Sequence, residues 1–289
     1  PTHIRHDGRV DPAPPSPYGR CPRPAPYRRH TAQHEALDVE VAIKVVTAQG
    51  IEAGEAAQRF LREARAAAKL ESEHVVRVLD AGAEESTGSP FIVMEFLQGR
   101  DLAYVLANFG PMPPKTAVDY IIQICEAAAA AHALGIVHRD LKPSNFFLTH
   151  RADGTALVKV LDFGISKAAQ LDGMPDPRLT ETQAVFGSPT YMSPEQMLGS
   201  RDVGPTSDVW AMGAVLYEMV TGRAAFGGST QMATCAAVLL VAPPTMRTHV
   251  PDVPAVLEEV VRKCLAREAG ARYATMNELR LALLSSLST

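Results

Sequence analysis

The stretch Ile136-Val137-His138-Arg139-Asp140-Leu141-Lys142-Pro143-Ser144-Asn145 decides how this chain is read. Within six residues it sets one carboxylate (Asp140), one ammonium (Lys142) and one amide (Asn145), following an apolar pair. Pro143 lacks a backbone N–H and steers Lys142 out of the helical region, so a regular helix is disfavoured and a rigid polar loop is expected. In such a loop Asp140 can take a proton from an incoming hydroxyl. Lys142 can balance charge on a phosphoryl group, and the Asn145 amide oxygen can ligand Mg²⁺.

Working outward, a second carboxylate, Asp162, follows the apolar run Leu157-Val158-Lys159-Val160-Leu161 and opens Asp162-Phe163-Gly164. Upstream, residues 39–46 alternate Val39/Val41/Ile43/Val45 against Glu40/Ala42/Lys44/Val46, the pattern of a half-buried strand carrying a single lysine. Residues 52–70 read as a helix with Phe60, Leu61, Ala64, Ala67 and Ala68 on one broad face and two acidic candidates, Glu55 and Glu63. Strands are expected over 75–79 and 90–96, a short helix capped by Asp101, and a long helix over 114–134 that ends at Gly135. A hairpin around Asp153-Gly154 joins 146–148 to 156–161. Asp208 reads as the cap of an apolar helix running to Thr221, and 231–241, 256–265 and 275–284 read as amphipathic helices.

A chain of 289 residues with 46% hydrophobic content has ample material for one large domain or two lobes. The net charge of −4 gives no basis for a nucleic-acid polymer or an anionic membrane surface as partner. Cys21, Cys125, Cys235 and Cys264 are scattered without a Cys-x-x-Cys pair and read as reduced, mostly buried thiols of a cytosolic protein. There is no run of eighteen apolar residues and no signal peptide at the start of the chain, so no membrane segment is expected in it. Residues 1–36 are rich in proline and arginine with almost no apolar periodicity, and are expected to be a disordered leader. The polar segment from Asp162 to Glu195 is too long for a simple connection and reads as a functional loop.

Lys44 in Val41-Ala42-Ile43-Lys44, the loop around Asp140, Asp162-Phe163-Gly164 and, behind them, Ser193-Pro194-Glu195 resemble in this order the signature set of the protein kinases. The alanine-rich helix after Lys44 and the wording of the loop look like the bacterial eukaryotic-type serine/threonine protein kinases. The resemblance covers residues 38–284. It implies an α+β, two-lobed protein-kinase fold: a small β-rich N-lobe over 37–97, incomplete because 1–36 replaces its first strands and glycine-rich loop, and a larger α-helical C-lobe over 98–289. Gly8 and Gly19 lack the Gly-x-Gly-x-x-Gly spacing of that loop.

What the resemblance implies for the site is specific. ATP is bound with Mg²⁺ (or Mn²⁺ in its place). Lys44, paired with Glu63, positions the phosphates; Ala42, Met94, Glu95, Leu97 and Phe147 surround the adenine, with Met94 as gatekeeper and 95–97 as hinge. Asn145 and Asp162 hold the metal, Asp140 receives the substrate proton, and Lys142 stabilises the transferring phosphoryl group. Thr180 and Thr182 are activation-loop phosphorylation sites with Arg139 as charge partner, and Thr190 belongs to the substrate-side loop. Glu195 and Arg272 form a structural ion pair, and Asp208 braces the backbone of the loop around Asp140. Lys142 and Thr190 imply Ser/Thr substrates in proteins. Relatives pair through their N-lobes, so a homodimer is within the family's range. The location is cytoplasmic, either free or as the cytoplasmic domain of a single-pass membrane protein. Two rival readings stay open: a pseudokinase or scaffold without turnover, motivated by the missing glycine loop, and a small-molecule phosphotransferase, which Thr190 and Ser193-Pro194-Glu195 argue against.

Overall fold

The computed structural model describes residues 4–10, 27–34, 38–46, 64, 67–84, 87–162, 189–200 and 202–287. The chain divides into two compact units, Pro1–Gly99 and Arg100–Thr289.

The first unit is a five-stranded antiparallel sheet in the order β1-β2-β3-β5-β4. Its strands are β1 (Ile4–Val10), β2 (Tyr27–His34), β3 (Val39–Val46), β4 (Val78–Ala83) and β5 (Pro90–Glu95). Strands β3 and β5 are rich in β-branched residues, which suit a pleated, half-buried surface. Val41, Ile43 and Val93 bury one face of them, joined by Ala32 from β2. Because side chains alternate along a strand, Ala42 and Lys44 lie on the other face of β3.

Two expectations fail in this unit. Strands β1 and β2 stand where a strandless leader was expected over 1–36. Strand β2 has few apolar residues in its sequence, with Ala32 in the core, and is held by backbone pairing to β3 from Tyr27↔Val46 to His34↔Val39, so hydrophobic periodicity did not reveal it. Strand β4 begins at Val78 rather than at residue 75. Of the helix expected over 52–70, Ala64 and Ala67 are helical, and Ala68 N–H donates to the Ala64 carbonyl at 2.9 Å. Most of that stretch, Glu63 included, lies outside the described residues.

The second unit is helical around a three-stranded sheet, β6-β7-β8, formed by Arg100–Asp101, Phe146–His150 and Ala156–Val160. Helix α1 (Leu102–Phe109) starts where Asp101 accepts the Tyr104 N–H at 2.8 Å. Helix α2 (Pro114–Ala133) has proline at its first position and ends at Gly135, with φ of 74°. There Gly135 N–H reaches the His132 carbonyl and Ile136 N–H the Ala131 carbonyl, the paired bonds of a Schellman cap. After the short α3 (Pro194–Met197) comes α4 (Pro205–Thr221), buried from Ser207 to Thr221. A helix apolar on every side can only be a core helix. Helices α5 (Gln231–Leu240), α6 (Ala255–Cys264) and α7 (Met276–Ser286) complete the unit. Gly213 lets α4 and α6 approach: a Cβ there would sit 2.5 Å from the Cys264 Cβ. Asp208 lies inside the first turn of α4, whose N-cap is Gly204, so Asp208 is not the cap expected of it. Cys125 and Cys264 are free and buried, and burial pushes the Cys125 thiol up to about 12. No helix among the described residues is long and apolar enough to cross a membrane.

Candidate active site

The loop that α2 delivers is held peptide by peptide. Asp208, 1% exposed, accepts the N–H of His138 and of Arg139, each at 2.8 Å, and its Oδ2 also lies 2.8 Å from Nε2 of His132. The Arg139–Asp140 peptide is bonded at both ends: its carbonyl accepts Nε2 of Gln196 at 2.9 Å, and its N–H points at Nδ1 of His138 at 3.3 Å. The Asp140 carbonyl accepts Nδ2 of Asn145 at 2.8 Å. These bonds explain why Arg139 can sit at φ of 64°, a left-handed conformation that costs a non-glycine residue about 1–3 kcal/mol unless its surroundings impose it. Pro143 does what the sequence predicts: Lys142 is extended, and Pro143–Asn145 forms a single 3₁₀ turn.

The chemistry-bearing side chains of the loop sit on this frame. Lys142 Nζ donates to Asp140 Oδ2 at 2.7 Å, and both side chains keep about a quarter of their surface in solvent, 26% and 24%. Asn145 is buried and gives its NH₂ to the Asp140 carbonyl, which leaves its oxygen as the atom for a cation. Leu161 N–H donates to the Asn145 carbonyl at 2.8 Å, bringing the next residue, Asp162, alongside the loop. Asp162 is the second left-handed non-glycine residue here, with φ of 50°. A hard amide oxygen and a hard carboxylate are the donor types Mg²⁺ prefers, so this pair fits that ion.

His138 is buried between these groups. Burial drives its pKa below the ordinary 6.5, against the opposing pull of the Asp208, Asp140 and Asp162 carboxylates. The neutral ring suits its bonds, with Nε2 donating to the Leu161 carbonyl at 3.2 Å and Nδ1 accepting from Asp140 N–H.

Glu195 and Arg272, 77 residues apart, form the expected ion pair in bidentate form at 2.8 and 2.9 Å. The guanidinium also donates to the carbonyls of Thr206, Ala266 and Arg267 and lies 5.0 Å over the Trp210 ring. Ser207 Oγ adds a third donor to Glu195 at 2.6 Å. Burial alone would raise the Glu195 carboxyl, but Arg272 and Ser207 overcome it and hold the group at about 2. Thr190 is buried in the 3₁₀ turn Pro189–Tyr191, whose Tyr191 hydroxyl donates to Glu218 at 2.5 Å.

In the first unit, Lys44 is 4% exposed on β3, beside Ile92 of β5. Ala42 faces Met94 across the same strand pair. Glu95 Oε1 accepts Arg77 N–H at 2.8 Å, tying β5 to the approach of β4. In the second unit, Phe147 is half-buried on β7, opposite Asp101. Glu63, Thr180 and Thr182 lie outside the described residues. Sequence reasoning missed His132, Gln196 and the Glu95 side chain. Only Gln196 had a local signal, the Ser-x-x-Gln spacing of Ser193 and Gln196 that marks a helix start.

Comparison with known proteins agrees with this frame. The chain is 38% identical over 261 residues to the serine/threonine-protein kinase Pkn1 of Myxococcus xanthus, covering 90% of this chain and 36% of that protein. It is 36% identical over 251 residues to PrkC of Bacillus subtilis (86% and 37%) and 37% identical over 258 residues to PknB of Mycobacterium leprae (88% and 40%). It thus spans well under half the length of these relatives. Among solved structures, the PknI kinase domain of Mycobacterium tuberculosis superposes with a TM-score of 0.69 at 24% identity, over 91% of this chain and 92% of that one. Rad53 residues 1–466, in complex with AMP-PNP, gives 0.73 at 22%, over 96% and 64%. At such identities the likeness concerns the fold, which is that of the protein kinases. The protein kinase domain family itself matches residues 30–282, and the chain belongs to that family.

Proposed function

We propose that this chain is a protein serine/threonine kinase domain that transfers the γ-phosphoryl group of ATP to hydroxyls of protein substrates. The observation that carries the reading is Asp140: a carboxylate on a backbone pinned at each successive peptide, yet left a quarter open to solvent beside the Lys142 ammonium. As the substrate oxygen forms its bond to phosphorus, Asp140 takes the hydroxyl proton. The bond from phosphorus to the bridging oxygen breaks, and ADP leaves with that oxygen. Lys142 pairs with Asp140 beforehand and faces the charge on the transferring group. Little covalent work falls to the protein, so rate comes from positioning and electrostatics.

In the same reading Lys44, with Glu63 as partner, serves the α- and β-phosphates. Met94, Glu95, Leu97, Ala42 and Phe147 receive the adenine. Mg²⁺, held by Asn145 and Asp162, would neutralise phosphate charge when bound. Thr190 sits on the substrate side, and phosphate on Thr180 or Thr182 would find a charge partner in Arg139, whose Nε is buried without a hydrogen bond among the described residues. The relatives' names, all serine/threonine-protein kinases, support the substrate class.

The test is a transfer assay with γ-labelled ATP and Mg²⁺ on a generic protein acceptor, followed by phosphoamino-acid analysis. Label on serine and threonine is expected. Label on tyrosine alone would overturn the substrate class, and no transfer above the Asp140→Asn background would overturn the activity.

A further inference from the structure

Gln196 is assigned no part in the chemistry by its position two residues after Ser193-Pro194, yet its amide spans two segments. Oε1 accepts both the N–H and the Oγ–H of Ser193, each at 3.1 Å, while Nε2 donates to the Arg139 carbonyl at 2.9 Å, 57 residues earlier in the chain. The orientation of the amide is set by its partners. A backbone N–H can only donate, so the oxygen must face Ser193; a carbonyl can only accept, so the NH₂ must face Arg139. Ser193 itself is fully buried, which makes it a firm anchor.

The peptide that Gln196 grips is the one that launches Asp140. Its other end is held by the His138 ring, and the peptides before and after it are held by Asp208 and Asn145. Those three partners come from the loop itself or from core helix α4. Gln196 alone among these ties comes from α3, the element that follows the substrate-side turn at Pro189–Tyr191. Rotation of the 139–140 peptide would swing the Asp140 Cα–Cβ bond, and Arg139 is already in a left-handed conformation that needs such support.

We propose that Gln196 is a positioning residue: its amide locks the Arg139–Asp140 peptide to the segment that ends the activation region, so that the aim of Asp140 depends on how that segment is seated. This rests on the kinase reading for its consequence in turnover, though not for its effect on the loop.

The test uses the whole chain with Gln196→Glu and, independently, Gln196→Met. Glutamate keeps the shape and the acceptor toward Ser193 but sets an oxygen against the Arg139 carbonyl; methionine removes all three bonds without adding charge. Losing one such bond is expected to lower kcat about tenfold, with KM for ATP within about twofold. Amide hydrogen exchange of peptides covering 136–145 should quicken in both variants, with α4 and α6 unchanged. Loop exchange and kcat at wild-type values in both variants would overturn the proposal. So would faster exchange spread through α4 and α6, since that reports a general loss of stability. If the unaltered chain transfers no phosphate, the kinase reading falls and loop exchange alone decides this one.

Discussion

Asp140 and Asp208 carry the same side chain and serve the same loop, and the molecule treats them in opposite ways. Asp208 is 1% exposed and receives two backbone N–H groups and the His132 ring. Asp140 keeps 24% of its side chain in water, beside the Lys142 ammonium. A desolvated carboxylate with its lone pairs occupied is a fixed anchor, because protonating it would strand its donors. An accessible carboxylate on a rigid backbone is free to gain and lose a proton. The second region, behind the loop, extends this logic to Glu195 and Arg272, where a buried charge is tolerated because it is fully bonded. Reactivity in this site is therefore expected to follow from which carboxylate is left open to solvent.

The sharpest way to break the contrast is Asp140→Asn. Turnover is expected to fall about 10²–10⁴-fold, the general-base scale, while the urea midpoint stays within error of the parent chain. A variant that unfolds more easily would place Asp140 with the anchors instead. At the back of the loop the pattern should invert. Arg272→Met leaves Glu195 buried without its guanidinium and is expected to cost about 3–5 kcal/mol of unfolding free energy, measured by urea titration with unchanged slope. A loss below about 1 kcal/mol would show the pair to be a solvated surface contact.

The smallest effect is on pH. His138 has a lowered pKa in the folded chain, so the unfolded chain binds the proton first as pH drops below the ordinary 6.5. Stability is complete above that value and declines as pH falls toward the lowered one. Glu195 adds a second decline between its ordinary 4.5 and about 2, again because its proton is taken up more readily by the unfolded chain. Thermal midpoints at stepped pH values should show the upper decline in the parent chain. A midpoint that rises on acidification through pH 6 would mean that His138 is charged when folded.

Asp140, Lys142 and Asn145 were legible because they act within one short covalent path, where a proline and a few spacings decide the geometry. The helices from 102 onward were legible for a related reason: their apolar faces repeat at helical spacing, and the ends of the first two carry Asp101, Pro114 and Gly135. Strands β1 and β2 were not, since backbone pairing, β1 to β2 and β2 to β3, holds them with little apolar pattern of their own.

By itself the sequence determined which chemical groups the chain has and which local conformations they can take: the carboxylate, the ammonium, the amide and the non-helical loop that presents them. Only the tertiary structure decided which of those groups would be spent as anchors and which left reactive. Asp208 meets the loop across 70 residues, Gln196 across 57 and Arg272 meets Glu195 across 77, and no local spacing encodes such meetings. They arise when core helix α4 and its neighbours pack, because a buried donor or acceptor without a partner is too costly to keep.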